Sequence, residues 1–327
     1  MAKSIRKKIL LDLYAMMLKI RLFEERIVGL YPKQKMRTPV HLYIGEEAIA
    51  AGVCQSLKND DLIFTTHRCH GHCIAKGMEL SRIMAELYGK KTGCCRGKGG
   101  SMHLADRNHG ILATSAIVGG GIPIAVGSAL SFKFRKKKNV VVSFFGDGAV
   151  DEGVFYESLN FAALKKLPIL FVCENNFYAT NSPLLARQPL DNIFERARIF
   201  GIAGYRCDGN DAIKVMSVAS GLIGDIRKGS GPYLLECRTY RWKGHVGPDC
   251  DIENGCRPQY EVEKWMRRCP IGKLERSLVK RGLVDSGKIA RIRDGIEKEI
   301  DFAYAYAKSS PPPAPGDVYE DVYYKES

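Results

Sequence analysis

The hydrophobic pattern of residues 139–178 predicts a strand, a helix and a second strand. Residues 139–145 form an apolar, β-branched and aromatic run. The run is too short for a helix and too apolar for an exposed strand, so it predicts a strand buried on both faces. Residues 152–166 carry apolar side chains at helical spacing, and the run 169–173 predicts another buried strand. Such a unit is right-handed and brings the carboxyl ends of both strands to one edge of a parallel sheet.

Polar residues follow both strands at the edge where parallel sheets bind ligands. The sequence GDG (residues 146–148) ends the first strand, and ENN (residues 174–176) ends the second. Asp147 offers a charged oxygen, Asn176 a neutral one and the bent backbone after it a carbonyl, which together suit Mg²⁺ with phosphate and water. The flanking glycines allow a close approach of phosphate. A GDG turn alone is also an ordinary tight turn, but in combination with Asn176 it predicts a site for Mg²⁺ and phosphate.

The same periodicities predict one doubly wound α/β domain over the whole chain. We expect a single domain over residues 1–327, with an N-terminal helix and loop (1–35), a core (36–245), and a variable loop, C-terminal helices and a tail (246–327). The tail has little core of its own, so we expect it to lie against another subunit or surface. The predicted helices cover residues 4–30, 48–57, 124–130, 152–166, 192–200, a segment after 211, 261–268, 271–281 and 286–308, and the predicted strands cover 62–65, 139–145, 169–173 and 233–239.

The composition is that of an ordinary globular protein, and it argues against a membrane protein, a nucleic-acid-binding protein and a disulfide-rich protein. Of 327 residues, 45% are hydrophobic and 26% charged. No apolar run is long enough for a membrane span, and the basic N-terminus leads into an amphipathic pattern, so we expect a cytoplasmic protein without membrane contact. The net charge of +14 is spread along the chain without a recognition motif, so no nucleic-acid partner is expected. Eleven cysteines, several in apolar strands, fit reduced buried thiols.

The densest polar cluster, THRCHGHC at residues 66–73, has three interpretations. Zinc binding is disfavoured, because the ligand types are crowded together and no second half follows at a finger-like distance. A histidine hydrogen-bonded in the core, with a loop around it, is an ordinary structural explanation. Alternatively, a guanidinium after a strand end suits a diphosphate, and imidazoles suit a phosphate or a carboxylate substrate. The residues alone leave the last two interpretations open.

Residues 8–245 resemble the alpha subunits of the two-subunit 2-oxoacid dehydrogenases, and within them the acetoin dehydrogenase branch. The matching segments are HLYIGEEA, THRCHGHCIAKG, ELYGKKTGCCRGKGGSMH, AIVGGGIPIAVG, FFGDG, LPILFVCENN and TYRWKGH, in this order. The resemblance implies a thiamine diphosphate-binding fold with thiamine diphosphate and Mg²⁺ as cofactors. It also implies cleavage of a carbon–carbon bond next to a ketone in pyruvate, acetoin or another small 2-oxo acid or acyloin. The acyl unit would pass to a lipoyl acceptor.

The resemblance further implies roles for individual residues. Arg68 and His67 would bind the diphosphate, and backbone groups near Val118 would contact the aminopyrimidine. His245 stands on a glycine-containing loop at the sheet edge, which suits proton transfer or carboxylate binding. The implied metal ligands are Asp147, Asn176 and the carbonyl of Tyr178. The implied cofactor-binding residues are His67, Arg68, Ala116, Val118, Asp147, Gly148, Ala149, Asn176 and Tyr178, and the candidate catalytic residues are His245, His70 and His41.

The resemblance also implies that this chain is incomplete alone. In relatives, the glutamate that activates the cofactor comes from a separate beta chain, so we expect an α₂β₂ heterotetramer with the cofactor between chains. A lipoyl acyltransferase is the further expected partner. Residues 246–258 depart from the family pattern, and Val246 stands where animal pyruvate dehydrogenases carry a phosphorylated serine. Two alternatives stay open: a non-oxidative acyloin-forming C2 transferase or ligase of a dedicated biosynthetic pathway, which that loop motivates, and a non-catalytic regulatory subunit.

Overall fold

The centre of the molecule is a parallel β-sheet, seen in a computed structural model that describes residues 6–36, 38–320 and 322. Six strands form this sheet in the order β2-β1-β3-β4-β8-β7, and β5 and β6 form a separate antiparallel pair, within the described residues. The arrangement confirms the predicted α/β class. The strands are β1 (Leu62–Thr65), β2 (Ile111–Thr114), β3 (Val141–Gly146), β4 (Ile169–Asn175), β5 (Tyr178–Ala179), β6 (Ser182–Pro183), β7 (Ala203–Asp208) and β8 (Tyr233–Arg238).

Helices cover both faces of the sheet, which makes it doubly wound as predicted. Alternate residues of β3 belong to two different hydrophobic cores: Val141 and Phe145 to one, Val142 and Phe144 to the other. Alternate strand residues point to opposite faces, so the cores lie on opposite sides of the sheet. The helices are α1 (Lys7–Leu30), α2 (Glu47–Cys54), α3 (His70–Lys76), α4 (Leu80–Leu87), α5 (Gly121–Phe134), α6 (Gly153–Leu164), α7 (Leu184–Arg187), α8 (Ile193–Arg196), α9 (Ala212–Arg227), α10 (Gln259–Arg267), α11 (Pro270–Lys280) and α12 (Ser286–Ser309).

The β3–α6–β4 unit has the architecture that the hydrophobic pattern predicts. The two strands pair in parallel from Val141 opposite Ile169 to Gly146 opposite Glu174, so they end at the same level. Every residue of β4 is buried, as expected for a central parallel strand. A 3₁₀ turn, Asp147–Asp151, precedes α6, so the helix begins after the predicted residue 152. Because the two strands end at the same level, the GDG and ENN sequences lie side by side.

Seven strands and helices of the described residues are absent from the sequence prediction: β2, β5, β6, β7, α3, α4 and α7. β7 is an edge strand in which only Cys207 is fully buried, so its hydrophobic alternation is weak. α3 runs through the polar cluster and therefore lacks an ordinary apolar stripe. The helix predicted over residues 192–200 is also interrupted, because α8 is followed by a 3₁₀ turn that ends at Gly201 with φ of 75°.

The described part of the C-terminal tail contacts its own chain through polar groups, whereas Val318 and Tyr319 are exposed, so the prediction that the tail lies against another subunit or surface stays a prediction. A 3₁₀ turn, Pro315–Tyr319, approaches the loop after α4, where Lys91 Nζ lies 3.0 Å from Asp317 Oδ2. Lys98 donates to the carbonyl of Glu320. One ion pair and one hydrogen bond from a charged donor explain why a segment with few apolar contacts is held. Residues 4 and 5 of the predicted first helix lie outside the described residues.

Two predictions about the chain's environment can be compared with the structure. All eleven cysteines are free and six are buried, which fits the predicted reduced thiols. Among the helices of the described residues, none combines the length and the apolar character that crossing a bilayer requires.

Candidate active site

A cavity of about 410 Å³ opens at the carboxyl edge of the sheet. Its wall comes from the segments that follow β1, β2, β3, β4 and β8 and from the segment before α2. This is the edge at which parallel α/β sheets bind ligands. The lining includes all of the predicted cofactor-binding residues and two of the three candidate catalytic residues: His41, His67, Arg68, Ala116, Val118, Asp147, Gly148, Ala149, Asn176, Tyr178 and His245.

Asp147 stands at the tip of β3 as a buried carboxylate with one unused oxygen. Only 1% of the residue is exposed. Its Oδ2 forms an ion pair with Arg187, whereas its Oδ1 has no hydrogen-bond partner. Burial raises the pKa of Asp147 to about 6, although the Arg187 charge acts in the opposite direction. A buried oxygen without a partner is costly, so this arrangement suits an additional cation.

Asn176 stands at the tip of β4 and is oriented by contacts at both ends of its amide. Its Nδ2 donates to Glu46 Oε1 at 3.1 Å, and its Oδ1 accepts from the backbone N–H of Tyr178 at 3.3 Å. Phe177, with φ of 69°, turns the chain sharply between them. The second lone pair of Oδ1 is left for a metal ion.

Glu46 is a cavity residue that the sequence analysis did not single out. It is 1% exposed, and its Oε2 has no hydrogen-bond partner, although Arg68 Nε lies 3.5 Å away. Burial raises the pKa of Glu46 to about 7, and the charge of Arg68 limits the shift. The available signal was a pair of glutamates, Glu46 and Glu47, at the beginning of a helix that otherwise contains small and apolar residues. Arg187, which pairs with both Asp147 and Asp151, was missed as well.

The residues at these strand tips fit a metal-bound diphosphate. The unpaired Asp147 Oδ1 and the amide oxygen of Asn176 are hard donors of the kind Mg²⁺ prefers. No atom lies within 4 Å of the position a Cβ would take on Gly146, so the backbone there is open to a ligand. A Cβ on Gly148 would meet Ala179 Cβ at 2.8 Å, so this turn requires glycine. Arg68 supplies a fixed cation, donating to the carbonyls of Leu42 and His245 at 2.6 and 3.2 Å.

Three histidines meet at the cavity: His41, His67 and His245. The ring centroids lie 4.6, 5.2 and 5.3 Å apart. Burial, and then the charge of Arg68, lowers their pKa values to about 3, 2 and 4 respectively. All three imidazoles are therefore neutral at pH 7, and each can accept a proton or a hydrogen bond at one ring nitrogen.

His70, the third candidate catalytic residue, lies in the core and does not line the cavity. Its Nδ1 is 3.2 Å from Glu24 Oε2, and its Nε2 is 3.0 Å from Ser101 Oγ. Burial alone would lower the pKa of His70, but the Glu24 carboxylate raises it to about 9. The structure therefore gives His70 a place in a buried ion pair rather than a contact with substrate.

The polar cluster at residues 66–73 divides between the cavity and the core. His67 and Arg68 line the cavity. His72 is buried with His70, and its ring nitrogens lie 2.9 Å from Thr65 Oγ1 and 2.9 Å from Glu174 Oε1. The core-histidine interpretation therefore describes His70 and His72. The ligand-binding interpretation describes His67 and Arg68. Within the described residues, no three potential metal ligands of this segment come together.

The unusual loop after β8 is anchored by a buried ion cluster. Arg257 donates to Asp251 Oδ1 at 2.7 Å and to the carbonyls of Arg241 and Lys243 at 2.6 and 2.9 Å. Arg241 lies 3.4 Å from the same aspartate. The two arginines are 1–2% exposed. These contacts tie the far end of the loop to the strand end that carries His245.

Sequence comparisons agree with this geometry. Residues 14–316 match the dehydrogenase E1 component family. The alpha subunit of acetoin:2,6-dichlorophenolindophenol oxidoreductase from Bacillus subtilis (strain 168) is 42% identical over 311 residues, which cover 95% of this chain and 92% of the relative. The pyruvate dehydrogenase E1 component subunit alpha-3, chloroplastic, from Arabidopsis thaliana is 39% identical over 319 residues, covering 96% and 74%. The resemblance inferred from the motifs is thereby confirmed, and the chain belongs to the dehydrogenase E1 component family of thiamine diphosphate-dependent oxidoreductases.

Proposed function

We propose that this chain is an alpha subunit that works with a beta subunit to cleave the carbon–carbon bond next to a ketone in pyruvate, acetoin or a related small substrate. The acyl unit then passes to a lipoyl group on an acyltransferase. The names of the relatives support this proposal, because one acts on acetoin and another is a pyruvate dehydrogenase component. They do not favour the non-oxidative ligase. The observation that carries the proposal is the unpaired Asp147 Oδ1 beside Asn176 at adjacent strand tips.

In this proposal, the strand tips hold the cofactor. Asp147, Asn176 and the carbonyl of Tyr178 ligate Mg²⁺, and Arg68 with His67 binds the diphosphate oxygens. Thiamine diphosphate supplies a nucleophilic carbon and an electron sink when it is bound. The remaining proposed cofactor contacts come from residues that line the same cavity: Ala116, Val118, Gly148 and Ala149.

His41 and His245 face the substrate in this proposal. Both imidazoles are neutral at pH 7, because burial and the charge of Arg68 lower their pKa values. Each can therefore donate a hydrogen bond to a ketone oxygen from one nitrogen or accept a proton at the other. His70 has no direct part in this chemistry.

The site needs a second chain. We propose that the beta subunit supplies the glutamate that activates the cofactor, that the assembly is α₂β₂, and that the cofactor lies between chains. We also propose that residues 1–327 form one domain, since the cores on both faces share one sheet. The cytoplasmic location expected from the sequence stays a prediction.

A reconstituted pair with a beta subunit tests the function. With pyruvate or acetoin, thiamine diphosphate and Mg²⁺, we expect a lipoyl domain to be acylated and an aldehyde acceptor to be left unchanged. Consumption of the aldehyde alone would instead support the ligase.

An Asp147→Ala variant of the same pair tests the cofactor site. We expect metal-dependent cofactor binding, measured by calorimetry, to weaken at least about 100-fold, because a charged metal ligand is lost. Asp225→Ala, which removes an exposed carboxylate paired with Lys228, serves as the control and keeps the affinity. Full metal-dependent binding by Asp147→Ala would contradict the proposal and would favour a non-catalytic subunit.

A further inference from the structure

Three imidazole rings converge at the cavity, and we propose that His41, His67 and His245 form a binding site for a transition-metal ion of the Zn²⁺ class. Their ligating nitrogens all lie within 4.8 Å of one another. A tetrahedral zinc ion with Zn–N bonds of about 2.0–2.1 Å needs ligand nitrogens about 3.4 Å apart. The nitrogens would therefore have to approach one another by up to about 1.4 Å on binding the ion.

The chemical state of the three rings suits metal binding. Metal ions bind neutral imidazole, so a protonated histidine must first lose its proton. Burial lowers the pKa values of all three histidines well below 7, so protons do not compete at physiological pH. In addition, the Nδ1 of His41 is buried without a hydrogen-bond partner, and a bound ion is one explanation of such an unsatisfied atom.

The surroundings leave room for an open coordination position. The three histidines line the cavity of about 410 Å³, so a fourth ligand can be water, hydroxide or an oxygen of a small molecule. Three histidines with one open position are the ligand set of several zinc sites that bind exchangeable ligands. The oxygen donors Asp147 and Asn176 instead suit Mg²⁺, so ligand softness would sort the two ions between the two sites.

The charge of Arg68 opposes a dication here and limits the affinity. Its guanidinium lowers the pKa of each of the three histidines, so it also acts on a metal ion among them. Glu46 offsets part of this charge, because its Oε2 lies 3.5 Å from Arg68 Nε. We therefore expect reversible binding that a chelator removes, rather than a permanent structural ion.

Occupation of this site would block the cavity. The ion would take His41 and His245 away from the substrate and His67 away from the diphosphate. Zinc should therefore inhibit the enzyme, and this consequence rests on the proposed function. The binding of metal does not, so it can be tested without turnover.

Cobalt absorption tests the site directly. The assembled alpha and beta chains, free of thiamine diphosphate and in excess Mg²⁺, are titrated with Co²⁺. We expect one Co²⁺ per alpha chain, with the intense visible absorption of four-coordinate cobalt, and displacement by Zn²⁺. His41→Ala, His67→Ala and His245→Ala should each weaken binding more than about tenfold, since loss of even an outer-shell partner costs 10–100-fold.

Two controls separate this site from others. His109→Ala removes a histidine that pairs with Asp106 outside the cavity and should leave the cobalt absorption unchanged. Asp147→Ala should also leave it unchanged, whereas a loss there would place the ion at the proposed magnesium site and overturn the inference. Retention of the absorption in all three cavity variants, or its absence in the native assembly, would overturn it too. If an alanine variant does not assemble, the corresponding glutamine variant replaces it. Failure of the turnover assays leaves these results unaffected.

Discussion

At the scale of single residues, neighbouring charges decide which buried histidines are protonated. Burial acts in the same direction on His41 and on His70. His41 also faces Arg68, so its pKa falls to about 3, whereas His70 contacts the carboxylate of Glu24, so its pKa rises to about 9. One ring is therefore a neutral ligand or proton acceptor, and the other is half of a buried ion pair. The sequence could not distinguish them, because these partners are distant along the chain.

We predict that Glu24→Gln makes the stability of the protein less dependent on pH. The folded-state pKa of His70, about 9, lies above the unfolded value of about 6.5. Its contribution to the free energy of unfolding is therefore complete below pH 6.5 and is lost as the pH rises through 9. The glutamine keeps an oxygen for the backbone N–H of Tyr43 but removes the charge that His70 needs.

Urea unfolding at pH 6.5 and pH 9 measures this effect. The variant should be less stable than the native protein by about 2 kcal/mol at pH 6.5, and the difference should shrink towards pH 9. Glu25→Gln changes the adjacent carboxylate and is the matched control. An equal loss of stability at both pH values would show that His70 is not protonated in the folded state.

The predicted site residues differ in how directly the sequence located them. Asp147 and Asn176 follow buried strands, so their meeting at one sheet edge could be inferred before any contact was known. Glu46 could not be found in this way, because its role depends on a contact with Asn176 across 130 positions of sequence. Arg187 likewise matters only through the side chains it reaches.

At the scale of elements, one buried carboxylate organises the glycine-rich loop after α4. Glu86 is fully buried and accepts hydrogen bonds from four backbone N–H groups of residues 95–100: Cys95 at 2.8 Å, Gly97 at 2.9 Å, Gly99 at 2.7 Å and Gly100 at 3.2 Å. The loop has few apolar side chains with which to fold. The carboxylate therefore takes the place of a hydrophobic core for this segment.

We predict that Glu86→Gln destabilises this loop. The amide retains one acceptor oxygen but turns an NH₂ group towards backbone donors, so the free energy of unfolding should fall by about 2–4 kcal/mol. Glu79→Gln, at an exposed glutamate before the same helix, should change it by less than about 0.5 kcal/mol. Thermal unfolding and limited proteolysis within residues 89–101 measure both effects. A native rate of cleavage in Glu86→Gln would show that the loop is held by other contacts.

Two of the strands that the sequence failed to predict have a short or weak hydrophobic pattern, whereas the missed helix α4 has an ordinary apolar stripe of Leu80, Ile83, Met84 and Leu87. β7 lies at the sheet edge with one fully buried residue, and β2 has only four residues. β7 pairs with β8, and β2 pairs with β1. These pairings hold both segments in the strand conformation, and they cannot be read from the sequence of either segment alone. Central strands such as β4 were predicted because burial on both faces leaves a continuous apolar run.

At the scale of the whole molecule, apolar side chains remain exposed beside the cavity. Ile117 is 72% exposed and Val118 50% exposed, and both line the cavity that we propose to be shared with the beta subunit. Exposed apolar surface at the rim of a ligand site is typical of a surface that another chain covers. The overall layering could be predicted from the sequence, but this surface could not, since an exposed and a buried isoleucine look alike in a sequence.

We predict that Ile117→Asp weakens assembly with the beta subunit. A charge would have to be buried there without a partner, so the dissociation constant should rise at least about tenfold. Ile199→Asp, at another isoleucine that is 76% exposed, is the matched control and should assemble normally. Analytical ultracentrifugation of the mixed chains gives both constants. Normal assembly of Ile117→Asp would place the beta subunit elsewhere.

The ion cluster behind His245 has a consequence for how this enzyme can diversify. Arg257 donates to Asp251 and to the carbonyl of Lys243, so it ties together the two ends of the span 243–257 without using the outward-facing side chains in between. Val246 and Asp249 lie on the outer side of that span and face solvent. Substitutions at these two positions can therefore alter the outer surface of the loop without removing the contacts that hold it.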